Sequence, residues 1–221
     1  GKEYSAPCVI LTTGGKTFQY TGSTGDAYKL AKKLGQTVTP LFPTESPIKS
    51  KDSFVTEKTL QGLSLRDIKL SVLDQKNKLI VEHEMDLLFT HFGVSVPAAH
   101  RCSIFVNKEP AKNYGDVHHS LDALPKLSHS DMIHLIEERI TDSGNKSVKN
   151  GLKNILPERY LDFLLQQVSI DLDKPLKQLT DNEKNDFATI VKDFSFTGYD
   201  TYPLDKSFVT GGGIHLKEVN P

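Results

Sequence analysis

Apolar positions along this chain change their spacing several times, and each change marks a different kind of element. Residues 7–12 read P-C-V-I-L-T, a nearly continuous apolar run of strand formers that suits a strand buried on both faces, as in a parallel sheet. Two glycine-bearing stretches follow, T-T-G-G-K-T and then G-S-T-G-D at residues 22–26. After them Ala27, Leu30, Ala31 and Leu34 recur at helical spacing, and Gly35 stands where a helix-ending glycine belongs. Ser23 or Thr24 is the expected N-cap, with Asp26 in the first turn to suit the helix dipole. Strand, glycine-rich turn and helix together form the unit of an α/β sheet.

The texture changes at Pro40, Pro43 and Pro47, which mark a crossing between subdomains. Beyond them Ile68, Leu70 and Val72 alternate, D-Q-K-N-K at residues 74–78 reads as a hairpin connection, and residues 79–81 form a second strand-like run. Val117, His119 and Leu121 alternate again. This middle region is expected to be β-rich and antiparallel, a small barrel or a sandwich. Helical spacing then takes over. Ser128 and Asp131 form a capping box ahead of Ile133, Ile136 and Ile140. Val148, Leu152 and Ile155 make a second stripe. Pro157 fits the first position of a third helix bearing Tyr160, Leu161, Leu164, Leu165 and Val168. Thr180 and Glu183 cap a fourth, with Phe187, Ile190, Val191 and Phe194. Residues 194–201 are aromatic and strand-like, the return over residues 194–206 is expected to pair with the β part, and residues 208–216 end on T-G-G-G-I-H-L. The expected fold class is α+β.

Composition narrows the class. Of 221 residues, 37% are hydrophobic and 25% charged, which fits a globular protein. Lys and Arg total 27 against 28 Asp and Glu, so the electrostatic footprint of a nucleic-acid or anionic-membrane partner is missing. The sequence has no signal-peptide pattern and no apolar run near the roughly 20 residues of a membrane span, and a cytoplasmic location is expected. The two cysteines, Cys8 and Cys102, share no metal or redox spacing, and Cys8, inside its apolar run, is expected to be buried and inert. The chain begins almost on a buried strand and ends on E-V-N-P, as a segment cut from a longer protein would.

Two segments carry candidate chemistry. Backbone N–H groups of Gly22, Ser23, Thr24, Gly25 and Asp26, at a helix N-terminus, suit a phosphate or another electron-rich group, or else simply make a tight strand-to-helix turn. The spacing matches neither G-x-G-x-x-G nor the P-loop. F-T-H-F-G at residues 89–93 places His91 between two aromatics, either as a hydrogen-bond or proton donor near neutral pH or as a satisfied core histidine. The other histidines show no metal-ligand spacing, so a metal is not expected, and no nucleophile elbow or Cys–His pair occurs.

Taken together, V-I-L-T-T-G-G-K, T-G-S-T-G-D, L-Q-G-L-S-L-R-D, L-L-F-T-H-F-G-V-S-V-P, L-P-E-R and V-T-G-G-G-I-H-L-K-E-V-N-P resemble, in order, the HI0933-like or aminoacetone-oxidase-like conserved flavoproteins, also known as NAD(FAD)-utilising dehydrogenases. The resemblance implies an FAD-binding Rossmann-type domain interrupted by a β-barrel-like domain and a small helical domain. On that pattern residues 1–40 and 207–221 are edge pieces of the FAD domain, 41–127 and 194–206 the barrel-like domain, and 128–193 the helical one. The family's dinucleotide fingerprint lies upstream of everything in this sequence, and a second flavin-contacting stretch lies downstream. By matching position Thr13, Gly14 and Gly15 approach the cofactor from the sheet edge. Gly22, Ser23, Thr24, Gly25 and Asp26, with Thr90, His91 and Gly93, line the flavin and substrate side. The chain departs from the family at Thr12, Thr17, Phe18 and Gln19, and glycine is usual at Ala27 and Val96.

The function expected is therefore a fragment of an FAD-dependent oxidoreductase that forms the substrate side of the flavin site for a small-molecule substrate. Its only candidate catalytic residue is His91, and the isolated chain is expected to bind no FAD and to be inactive. The alternative is a stand-alone barrel and helical-bundle interaction module. An RNA-binding barrel lacks the basic patch and aromatic platform it needs. An insert leaves and rejoins its host at nearby points, so residues 9–11 and 208–209 are expected in or beside one small sheet.

Overall fold

The computed structural model describes residues 2–108 and 117–219. In chain order the elements are α1 (Asp26–Lys33), β1 (Phe42–Thr44), β2 (Ile48–Lys49), α2 (Ser53–Thr56), β3 (Ser64–Leu73), β4 (Leu79–Phe89), β5 (Gly93–Ser95) and α3 (Val96–Lys108). They continue with β6 (Val117–Asp122), α4 (His129–Ser143), α5 (Val148–Gly151), α6 (Glu158–Gln167), α7 (Asp181–Lys192), β7 (Phe194–Gly198), β8 (Asp200–Thr201) and β9 (Val209–Gly211). The class is α+β.

The hairpin β3–β4 is the centre of the larger sheet. Ile68, Leu70 and Val72 are buried as their alternation requires. Asp74 closes the turn by accepting the N–H groups of Lys76 and Lys78, both at 2.8 Å, on one carboxylate oxygen. A register shift between Leu65 and Ile68 places Asp67 at φ 50°, with its N–H on the Asp86 carboxylate at 3.1 Å. The full order is β7-β6-β3-β4-β5-β2-β8, antiparallel throughout. The two edge strands are consecutive pieces of chain parted by Tyr199 alone, and its N–H donates to the Lys49 carbonyl at 3.0 Å. The sheet thus curls toward itself without closing as a barrel.

Helix α3 was not expected. Its small residues Ala98, Ala99, Cys102 and Ser103, with Val106, are buried against the sheet. Small side chains allow the helix to approach closely, and the Cys102 thiol reaches the Leu70 carbonyl at 3.9 Å. Burial pushes that thiol up to about 12, so it is an inert packing group.

The helical stretch forms as its periodicity indicates. Ser128–Asp131 and Thr180–Glu183 are both complete capping boxes, starting α4 and α7. Several boundaries shift: α5 is a single turn that ends before Leu152 and Ile155 of the expected stripe, Pro157 is the N-cap of α6 rather than its first residue, Val168 is its C-cap, and Phe194 belongs to β7 rather than to the α7 stripe. As expected, β7 pairs with the β part, on β6. The Phe54 ring packs edge-on against Phe89, Phe194 and Phe196 at 5.5 to 5.9 Å, and Tyr160 and Phe163 continue the cluster into α6. Sheet and helices therefore share one continuous core.

A separate ribbon joins the beginning of this region to its end. β1 pairs antiparallel with β9, from Phe42 opposite Gly211 to Thr44 opposite Val209. The pairing continues outward through Thr39 N–H to Gly213 O at 2.8 Å and His215 N–H to Thr37 O at 2.9 Å. Gly212 permits this approach: its φ is 78°, and a Cβ there would lie 2.2 Å from the Pro40 carbonyl oxygen.

Three expectations about the amino-terminal segment are corrected. Residues 7–12 form no strand, and Val9 and Ile10 are 78% and 85% exposed. Strand propensity reports fit to a pleated, half-buried surface, and no described strand lies beside this run to provide one. Cys8 is accordingly exposed, not buried. The small sheet near residues 208–209 is made with β1 rather than with residues 9–11, although Thr17 Oγ1 still donates to Phe208 O at 3.2 Å. Apart from Leu79, every exposed large hydrophobic described lies before residue 41 or after residue 207.

Candidate functional site

The turn at Thr13, Gly14 and Gly15 folds back onto the start of α1. Thr13 Oγ1 accepts the Ala27 N–H at 3.2 Å, one of the free donors of the first helical turn. A Cβ on Gly14 would meet Ser23 Oγ at 2.8 Å, and one on Gly15 would meet Thr210 Oγ1 at 2.6 Å. The Lys16 N–H donates to that same Thr210 hydroxyl at 2.8 Å. Thr13, Gly14, Gly15, Ser23, Gly25 and Asp26 thus come together beside the strand β9. Gly22 stands apart, with open space around it. The N-cap of α1 is Gly25, at φ 82° and without a side-chain cap, which corrects the expectation of Ser23 or Thr24. Thr24 instead donates its hydroxyl to Asp26 Oδ2 at 2.7 Å, and this bond, with Lys29 nearby, holds the Asp26 carboxyl below its usual range. Helix α1 ends as expected at Gly35, whose N–H bonds the Lys32 carbonyl while Gln36 reaches Ala31.

Between α1 and residues 38–41 runs an open groove of about 370 Å³. Lys16, Lys29 and Lys32 line it with Thr24, Gly25 and Tyr28. Three lysines along the groove, with Lys16 and Gly25 near the start of α1, Lys29 within it and Lys32 in its last turn, suit an anionic or electron-rich partner.

The second candidate segment is a tight turn. The Thr90 N–H and hydroxyl both donate to Gly93 O, at 2.8 and 3.1 Å. Gly93 has φ 148°, and a Cβ there would lie 2.1 Å from the Ile48 carbonyl oxygen, so β5 can pair with β2 only if this residue is glycine. His91 is exposed, its ring edge-on to Phe92 at 4.9 Å, and is not a core histidine. Phe92 packs on Tyr202 at 4.6 Å.

Sequence spacing gave no sign of the contacts that link the two segments. His100, on α3, lies half-buried with Nε2 3.3 Å from Ser95 Oγ, and burial holds its imidazole below the usual histidine range. Its ring packs on Phe208 at 5.1 Å, and Phe208 in turn on Phe18 at 5.0 Å. The strand–helix junction β5–α3 therefore touches the flank that carries Thr13 to Gly15.

That junction is strained. Val96 has φ 64°, a left-handed conformation that a β-branched residue adopts at a penalty of about 1–2 kcal/mol. Val96→Gly is expected to raise stability by about 1 kcal/mol, read as a higher urea midpoint at unchanged slope. A lower midpoint would show that the valine side chain contributes more packing than the backbone loses.

Two further segments hold the scaffold rather than the site. Gly62 N–H donates to Phe89 O at 2.8 Å and Phe89 N–H to Leu63 O at 2.9 Å, so L-Q-G-L braces the strand that leads into residues 90–93. Arg159 Nη2 reaches the Leu60 and Gln61 carbonyls at 3.4 and 3.0 Å and ties α6 to the same loop. Among the described residues no group of three or more His, Cys, Asp or Glu is placed to hold a metal ion, and no helix is long and apolar enough to cross a membrane.

Residues 42–209 match the family described as the HI0933-like protein barrel and H2TH domain. The chain belongs to this family. The matched span begins and ends on the paired strands β1 and β9, where the chain enters and leaves the larger sheet. A relative is the 3-dehydro-bile acid delta(4,6)-reductase of Clostridium scindens (strain ATCC 35704 / DSM 5676 / VPI 13733 / 19), 24% identical over 222 residues. The match takes in 100% of this chain and 53% of that reductase, so the chain spans about half the length of its relative.

Proposed function

We propose that this chain is the insert region, with flanking sheet pieces, of a flavin-dependent oxidoreductase, and that it forms the substrate side of the flavin site. The carrying observation is the β1–β9 ribbon, which brings the two flanks side by side, combined with the apolar surface those flanks expose. A run such as residues 7–12, with Ile10 85% exposed, has the composition of a strand buried on both faces. We read it as the edge of a Rossmann-type sheet whose other strands lie in the rest of the parent. The larger sheet is then the family's barrel and α4–α7 its helical domain. A reducing cytoplasm accommodates the exposed Cys8 thiol.

The residues present fit one side of an FAD but not its main anchor. The lysine-lined groove beside α1 suits an electron-rich group, while no G-x-G-x-x-G follows a strand to hold the pyrophosphate. Thr13, Gly14 and Gly15 would approach the cofactor from the sheet edge, with the segment from Gly22 to Asp26 and Thr90, His91 and Gly93 lining the flavin and substrate side. FAD, when bound, supplies the acceptance and donation of hydride. His91, exposed beside Phe92, would donate a hydrogen bond or a proton to the substrate. From the likeness to the bile-acid reductase, the reaction proposed for the parent is reduction of a small organic molecule.

The isolated chain is expected to show no saturable one-to-one uptake of FAD at micromolar concentration when flavin fluorescence is followed, whereas the full-length parent should purify yellow. Contacts along one edge rarely offset the entropy lost by so large a ligand. Stoichiometric binding by the chain alone would mean that the main anchor lies in these residues. A colourless parent would leave the interaction-module reading in its place.

A further inference from the structure

A second groove lies away from the α1 turn, between the start of β3 and the β6–α4 connection. Two concavities, of about 350 and 250 Å³, share Arg66, Ala123 and Leu124 and are therefore continuous. Their combined size falls within the roughly 300–1,000 Å³ of small-molecule sites. The larger one is walled by Leu65, Ile68, Leu124, Ile155, Leu156 and Pro157, with Ser64 and Arg66 adding polar surface, so its lining is mixed and more apolar than polar. The smaller one is lined by Ala123, Leu124, Pro125 and Leu127 and adds the charged groups Asp67 and Lys126, with Arg66 shared between the two. Neither Arg66 nor Lys126 has a hydrogen bond or ion pair to any described residue. Lys192, beneath the β6–α4 connection, is already held by Asp122 at 2.7 Å and by backbone carbonyls.

The groove thus offers a mainly apolar trough whose lining includes two unpaired cations and a single acid, Asp67. That pattern complements one kind of molecule: an apolar tail ending in one negative charge. We propose that this groove binds a small amphipathic monocarboxylate, its carboxylate on Arg66 and Lys126 and its apolar body along Leu124 and Ile155. Guanidinium is suited to the task because its fork meets a carboxylate with two parallel hydrogen bonds. A phosphate or a polyanion would leave the trough unfilled, and a neutral lipid would leave both cations unpaired. The inference is independent of the flavin reading, since none of its residues belongs to that site.

The test uses the chain as it stands, with decanoate as the probe and decanamide as its neutral counterpart. Calorimetric titration is expected to show saturable one-to-one binding of decanoate with a dissociation constant below about 1 mM. Arg66 is exposed and outside the core, so Arg66→Gln should fold normally and bind at least about tenfold more weakly, as loss of a charged hydrogen bond predicts. Methyl resonances of Leu124 and Ile155 should shift on binding, and those of Leu30 and Leu34 should not. Absence of saturable heat, equal affinity for decanamide, unchanged affinity in Arg66→Gln, or shifts centred on the exposed flanks would each overturn the proposal.

Discussion

Lys192→Met should destabilise the protein by about 3 kcal/mol, a large share of the 5–15 kcal/mol that holds a typical domain together. The ammonium of Lys192 closes α7 onto the end of β6: it pairs with Asp122 Oδ2 at 2.7 Å, donates to Leu124 O at 2.7 Å and also donates to Leu127 O. The Asp122 side chain is 9% exposed and that of Lys192 17%, so little water is available to replace a lost partner. Methionine keeps the length and volume of the stem and removes the charge. What remains is a nearly buried carboxylate bonded only to the Leu124 N–H, and a Leu127 carbonyl that has lost this donor, while Leu124 O keeps the Leu127 N–H at 3.0 Å. The double variant Lys192→Met/Asp122→Asn should recover much of the loss, because most of the penalty comes from the charge left behind rather than from the pair itself. Urea midpoints of wild type, the two single variants and the double variant measure this directly. If Lys192→Met fell by less than about 1 kcal/mol, or if the double variant were no better than the single, the carboxylate would have found another partner.

That ion pair was invisible in the sequence, and the reason is general. Hydrogen-bonded turns and caps are local: D-Q-K-N-K needs only its own five residues, and Ser128 finds Asp131 three residues away. The strands Ile68–Leu70–Val72 and Val117–His119–Leu121 were legible because each buries one face against the shared core, which period-two alternation records. Helix α3 was not, since its apolar positions are mostly small residues and follow Pro97, a pattern equally at home in a β-rich stretch. Residues 7–12 misled in the opposite direction. Their composition reports an environment, and the described structure does not contain that environment. At the candidate site the glycine turn and F-T-H-F-G were found as segments. The Ser95–His100–Phe208–Phe18 contacts joining them depend on a register between β5, α3 and the far end of the chain that no spacing rule encodes. The glycine at residue 93 had a reason legible only in three dimensions, the carbonyl of Ile48 occupying the place of a side chain.

Acid should weaken the fold well above the pH at which carboxylates protonate, and His119 is the cause. It is fully buried in β6, stacked on Phe196 at 4.9 Å with 10° between the rings. Nδ1 lies 3.1 Å from the Val117 carbonyl, which assigns the proton to that nitrogen, and Nε2 is buried with no partner. Burial dominates and pushes the imidazole down to about 4; the Val117 carbonyl opposes this, and neighbouring His118 adds to it. The folded state therefore holds His119 neutral where an unfolded chain, titrating at about 6.5, would take up a proton. A depressed folded value means that the contribution is fully present above about pH 6.5 and is lost as pH falls toward 4. A shift of about 2.5 units corresponds to roughly 3 kcal/mol over that window. The exposed carboxylates that the fold holds below their usual range, among them Asp74 with its turn N–H groups and Asp131 with Ser128, act only at lower pH and do not blur it. Melting temperature measured from pH 7.5 to 4 should fall steadily below pH 6.5. In His119→Phe, which keeps a ring on Phe196 but cannot titrate, the decline over that interval should be much shallower. An equal slope in the two proteins would move the acid-sensitive group elsewhere, to the half-buried His100 beside Phe208.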